Sequence, residues 1–155
     1  MVEIVKACVD DINDFMKVRL EMLRIVNSMK DEEDFSPQLI SASREYFLNG
    51  NHTTVFAKDD KKIIGCASVS YITIMPTYDH PSGKRAHLMN VYTNKNYRRQ
   101  GIAKSMLKLL IDETVKKGCS EITLDATEEG FPLYLALGFK ENKEGMVMNV
   151  KDYKI

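Results

Sequence analysis

Arg98, Arg99 and Gly101 stand close together in the run Tyr97-Arg98-Arg99-Gln100-Gly101-Ile102-Ala103. Two guanidinium forks suit phosphate oxygens. A glycine between them and a helix lets the backbone approach a ligand with no Cβ in the way. A helix opening at Ile102 would present N–H groups that have no intrahelical partner, at the end where its dipole favours an anion. The chemistry on offer is a cradle for phosphate or pyrophosphate. A P-loop needs Gly-x-x-x-x-Gly-Lys-Ser/Thr. Here Lys104-Ser105 follows Ala103, and Arg98 holds the place of the first glycine. A dinucleotide fingerprint needs three spaced glycines, and only Gly101 is present. Both are rejected.

The elements that position this turn follow from periodicity. Ala86–Thr93 reads as the strand that enters it. Ala103, Met106, Leu107, Leu110 and Ile111 form one apolar stripe, predicting a helix from Ile102 that ends before Gly118. Ile122, Leu124 and Ala126 alternate as the next strand. A strand, a helix and a strand in that order imply a parallel pair with a right-handed crossover. Upstream, Val2–Lys6 reads as a first strand, and Asp10 or Asp11 caps a helix running to about Asn27. Ser36-Pro37 starts a second helix that Gly50 stops. Thr53–Lys58 and Ile63–Ile74 pair antiparallel about the turn Asp59–Lys62, the second being uncharged and so central. Phe131–Leu137 is a short helix, and Phe139–Glu141 with Met146–Val150 predict a closing hairpin. The order is βααβββαβαββ: an α/β chain with a mixed sheet, read as a single domain over residues 1–155.

Composition narrows the function. Hydrophobic content of 44% and charged content of 28%, in 155 residues, suit one globular domain with a sizeable core. Formal net charge is zero, so no global field attracts nucleic acid or an anionic membrane. Tyr92 and Tyr97 among Lys95, Arg98 and Arg99 make one short basic patch, too little for a nucleic-acid partner. The uncharged run Ile63–Tyr78 is too short to span a bilayer and contains Gly65 and Pro76. Glu3 and Lys6 exclude a secretory signal at this N-terminus. Cys8, Cys66 and Cys119 lack metal-ligand spacing, as do His52, His80 and His87, so no metal is expected. The cysteines read as small, mostly buried and reduced, which places the protein in the cytoplasm.

Arg98-x-x-Gly101-x-Ala103 is similar to the Arg/Gln-x-x-Gly-x-Gly/Ala signature of the GNAT superfamily of acyl-CoA-dependent N-acetyltransferases. Leu133-Tyr134-Leu135-Ala136-Leu137-Gly138-Phe139 resembles the Leu-Tyr-x-x-x-Gly-Phe element that follows the fifth strand in many of those enzymes. The two motifs stand in the expected order, a helix and a strand apart, and the element order resembles the GNAT fold over nearly the whole chain.

The resemblance implies acetyl transfer from acetyl-CoA to an amine by direct attack in a ternary complex, with no metal. It implies pantetheine bonded to the backbone of Val91, Tyr92 and Thr93, and pyrophosphate on the turn Arg98, Arg99, Gln100, Gly101, Ile102, Ala103 and Lys104. It implies Tyr134 as the general acid that protonates the departing thiolate, with a backbone N–H at Val91 or Tyr92 for the oxyanion. A plain core tyrosine is the competing reading of Tyr134. Many relatives carry an Asn seven residues before the Tyr, and here that place is Thr127. No Glu stands on the cradle strand, and His87, Asp125 and Glu128 are equal candidates for a proton relay. Asp31-Glu32-Glu33-Asp34 is either an acidic rim that favours a cationic amine or a solvated loop. The acceptor is a small-molecule or protein amine, with no nucleic acid or membrane partner, and the chain is a monomer or homodimer. The alternative is a non-catalytic GNAT-fold module that binds or senses acyl-CoA.

Overall fold

A computed structural model describes residues 1–154, in two compact units that part after Asp125. In the first unit, β1 (Val2–Lys6), β2 (His52–Asp59), β3 (Lys62–Thr73), β4 (Lys84–Thr93) and β5 (Ile122–Leu124) form one sheet in chain order. The first four strands pair antiparallel, and β4 pairs with β5 in parallel. Helix α3 (Ile102–Lys116) makes the crossover between those last two. The expected mixed sheet is present, with β3 at its centre and Ile64–Val69 buried throughout.

Local sequence accounts for the joints. Asp60, at φ 53°, makes the tight turn between β2 and β3, where a short polar side chain tolerates the left-handed region. Ser36 caps α2 (Pro37–Asn49) by accepting the Leu39 N–H at 3.1 Å, with Pro37 at the first helical position. A short 3-10 turn, Val9–Asp11, leads into α1 (Ile12–Val26).

Helices cover both faces of the sheet. Phe15, Met16, Val18 and Met22 of α1 and Phe47 of α2 cluster with Phe56, Cys66 and Tyr92. The neighbouring Gly65 faces the other way, where a Cβ would come within 3.3 Å of Met106 on α3. Met106, Leu107 and Leu110 are fully buried there, each contributing roughly 1.5–3 kcal/mol.

The second unit, from Ala126, contains α4 (Phe131–Ala136) and a 3-10 turn at Val150–Asp152. The closing hairpin does not form: neither Phe139–Glu141 nor Met146–Val150 is strand. Only one apolar residue stands in the first segment, and the polar run Lys140–Glu144 follows it. Met146 and Val147 are almost wholly exposed, so no apolar face is buried that would fix a register. β5 also stops two residues short of Ala126.

Candidate active site

The site begins at an irregularity in β4. Ser68 pairs with Met89, yet Cys66 pairs with Tyr92, so two steps along β3 match three along β4. The extra residue is a β-bulge at Asn90, whose φ is 58°. Asparagine is one of the few side chains that adopt this conformation readily. Its side chain is buried and doubly bonded: Oδ1 accepts from Arg19 Nη1 at 2.8 Å, and Nδ2 donates to Cys66 Sγ at 3.5 Å. The Cys66 thiol donates in turn to Asn90 O, and burial pushes its pKa up to about 12, so it is no nucleophile.

The bulge lies just where β4 loses its neighbour. Pairing with β5 ends at Leu88 and Leu124, and β4 runs on to Thr93. Asn94 N–H bonds Ile64 O at 2.7 Å. Antiparallel alternation then turns the peptide groups of Tyr92 toward Cys66 and those of Val91 and Thr93 toward the β5 side. Val91 and Thr93 thus offer a backbone edge without a strand partner, while Tyr92 spends its peptide groups on β3. Its hydroxyl donates to Glu21 Oε1 at 2.7 Å, and burial, then that bond, raise its pKa.

From this edge the chain enters the basic turn directly. Asn94 Oδ1 accepts from Asn96 N–H at 3.0 Å, holding the 3-10 turn Lys95–Tyr97. Arg98 Nε donates to Thr93 O at 3.2 Å. Arg99 (φ 62°) and Gly101 (φ 79°) are both left-handed, a backbone form in which successive N–H groups can line a concavity suited to an anion. The first N–H of α3 to bond back is that of Ser105, to Gly101 O at 3.0 Å. Those of Ile102, Ala103 and Lys104 precede it at the positive helix end. A Cβ at Gly101 would meet nothing within 4 Å, so this face of the turn is open to a ligand. The residues present fit a pyrophosphate.

A cavity of about 210 Å³ opens on the α1 and α2 face of the sheet at the same bulge. Phe15 and Arg19 line it from α1, Leu39 and Tyr46 from α2, and Met89 and Asn90 from β4. Tyr46 Oη bonds Ser70 Oγ. None of Asp31, Glu32, Glu33 and Asp34 lines this cavity. Arg24 ties that loop down instead, donating to Glu33 O at 2.9 Å and lying over the Phe35 ring.

His87 Nδ1 lies 2.8 Å from Thr123 Oγ1, and its Nε2 is 3.9 Å from Asp125 Oδ2. Cys8 is exposed, contrary to expectation, and Cys119 is partly buried. Sequence reasoning missed Arg19, Glu21 and Asn90. The signal for Arg19 was its place four residues after Phe15, inside the apolar stripe of α1. Asn90 carried only its residue type.

In the second unit, Tyr134 sits on α4 with its ring edge-on to Phe139, centroids 5.9 Å apart. It is half-buried, burial raises its pKa above the ordinary 10.0, and its hydroxyl has no partner among the described residues. Thr127 is exposed, and its Oγ1 accepts from Gly130 N–H at 3.1 Å, holding the turn into α4.

The profile of the Acetyltransferase (GNAT) family matches residues 19–139, which run through the cavity, the bulge, the turn and α4. The chain belongs to that family. The GNAT chain is similar throughout to a predicted acetyltransferase from Clostridium acetobutylicum, solved with acetyl-CoA. That likeness has 27% identity, a TM-score of 0.86 and coverage of 99% of both chains. It is 28% identical over 89 residues to a glucosamine 6-phosphate N-acetyltransferase of Trypanosoma brucei brucei, covering 57% of this chain and 58% of the relative. It is 30% identical over 83 residues to a thialysine N-epsilon-acetyltransferase of Bos taurus, covering 52% and 49%. The chain spans about half the length of the curated relatives it matches.

Proposed function

We propose that this GNAT chain moves the acetyl group of acetyl-CoA onto an amine by direct attack in a ternary complex. The observation that carries the reading is the continuity of β4. Its edge at Val91 and Thr93, which has no strand partner, runs straight into the N–H groups of the turn Arg99–Lys104. An extended amide chain ending in a pyrophosphate has complementary groups in that order, strand edge first and anion cradle second. Bound acetyl-CoA would supply an activated thioester, so the chain itself needs no nucleophile. The structure solved with acetyl-CoA, alike over 99% of both chains, supports the same reading. Both units are read as one acetyltransferase domain, which the unbroken family match from 19 to 139 supports.

The roles assigned within it are these. Val91 N–H faces away from β3 and donates to the oxyanion that develops during attack. The Val91 carbonyl and the Thr93 N–H, with Tyr92 between, hold the pantetheine arm, and the Thr127 hydroxyl adds a contact. Arg98, Arg99, Gln100, Gly101, Ile102, Ala103 and Lys104 hold the pyrophosphate. Tyr134 stays protonated and delivers its proton to the leaving thiolate. The cavity beside Asn90 receives the amine. Relatives named for glucosamine 6-phosphate and thialysine support a small-molecule acceptor.

Initial rates of thiol release test the reading. With acetyl-CoA and a reactive amine both varied, the expected result is intersecting double-reciprocal lines and acetylated amine as product. Parallel lines would mean a covalent acetyl-enzyme and contradict direct attack. Acetyl-CoA binding without turnover of any amine would make the chain a sensing module.

A further inference from the structure

Arg19 is a charge without a counter-charge among the described residues. Its side chain lines the cavity, and the one hydrogen bond it makes among the described residues is from Nη1 to Asn90 Oδ1, at 2.8 Å. Guanidinium carries five N–H donors, so most of the fork is uncommitted. No carboxylate lies within 4.0 Å of it among the described residues, and none lines the cavity. Burial lowers its pKa, the mark of a cation held away from water, yet a guanidinium keeps its proton at neutral pH. Holding such a group in a half-buried pocket costs stability unless an anion arrives to pair with it.

Its orientation is fixed from behind. Asn90 can hold Nη1 because the left-handed bulge turns that side chain to the α1 face, where Cys66 bonds its amide nitrogen. The fork is therefore anchored at the point where β4 parts from β5. The remaining walls are mostly apolar: Phe15 on one side, Leu39 on another, Met89 on the sheet. The volume of about 210 Å³ leaves room for a compact molecule.

We infer that the acceptor is a small amine that also carries a carboxylate or phosphate, bound through that anionic group by Arg19, and that polycationic amines are excluded. This rests on the proposed acetyl transfer, because it assigns the cavity to the acceptor. An anion on Arg19 has a direction to lie in and a desolvated partner to meet. A second cation in the same space meets repulsion, with no acid among the described residues lining the cavity to screen it.

Matched amines test it. Leucine is compared with isoamylamine, which lacks only the carboxylate. Phosphoethanolamine is compared with ethanolamine, which lacks only the phosphate, and spermidine serves as the polycation. Dissociation constants are measured by calorimetry on the wild type and on Arg19→Gln and Arg19→Lys, each saturated with CoA. The expected result is that the anionic member of at least one pair binds roughly 10- to 100-fold more tightly than its partner. That advantage should collapse in Arg19→Gln, survive in part in Arg19→Lys, and spermidine should bind worst. The pair that shows it names the anion. Equal affinities within both pairs, tighter binding of spermidine, or a preference that survives Arg19→Gln would overturn the inference. Should either variant fail to fold, the wild-type ratios and the other variant decide. If CoA itself does not bind, the transfer reading fails first. If CoA binds and the amines show no anion preference, only the acceptor inference fails.

Discussion

Burial at Tyr134 works in the direction a general acid requires. A phenol with its pKa raised above 10.0 is fully protonated at neutral pH and holds its proton well into alkaline solution. Because the shift is upward, more than half of the acid form is still present at pH 10.0. The kcat profile should therefore show no alkaline fall below about pH 9 that disappears in Tyr134→Phe. The same substitution should cut kcat by roughly 10²–10⁴ if proton delivery is the residue's main role. An unchanged kcat would leave Tyr134 as a core ring packed on Phe139. The motif singled out this tyrosine; its burial and unbonded hydroxyl were not legible there, because they depend on how α4 is surrounded. Arg19 teaches the opposite lesson. An arginine in an apolar stripe is visible in the sequence, but only the fold shows that no acid among the described residues comes to meet it.

Among the elements, β4 was the most legible and the most misleading. Its buried residues Ala86, Leu88, Asn90 and Tyr92 alternate without a break, so the pattern reads as one regular strand. The bulge changes their meaning. Leu88 pairs with Val69, and Tyr92 pairs with Cys66 in the α1 cluster, so one extra residue shifts the parity between them. Period-two reasoning cannot detect an insertion that preserves the burial pattern. The conformation of Asn90 can be tested on its own. Asn90→Ala loses the bonds to Arg19 and Cys66 and forces a Cβ residue into the left-handed region, while Asn90→Gly loses only the bonds. Denaturant unfolding should find the alanine variant less stable than the glycine variant by about 1 kcal/mol. Alanine equal to or better than glycine would mean that the bulge relaxes and stores no such constraint. The start of α3 at Ile102, by contrast, was read correctly from residue types, since Gly101 before it and the apolar stripe after it follow from local chemistry.

For the whole chain, the sheet, its crossover and three long helices were legible because long periodic segments with caps declare themselves. The closing hairpin was not, because short apolar runs beside a charged stretch carry no register. The cavity was not legible either, as it draws on α1, α2, β3 and β4, which periodicity orders but does not bring together. What unites these parts is the claim that β4 and its turn form a cradle for acetyl-CoA. Thermal unfolding with acetyl-CoA, against ATP and NAD as controls, tests that claim most directly. At a hundred times Kd, linkage contributes about 2.7 kcal/mol, a rise in Tm of roughly 5–10 °C for a chain of this size. A rise of that order with acetyl-CoA, and none with ATP or NAD, is the predicted result; a folded protein whose Tm acetyl-CoA leaves unmoved would contradict the account.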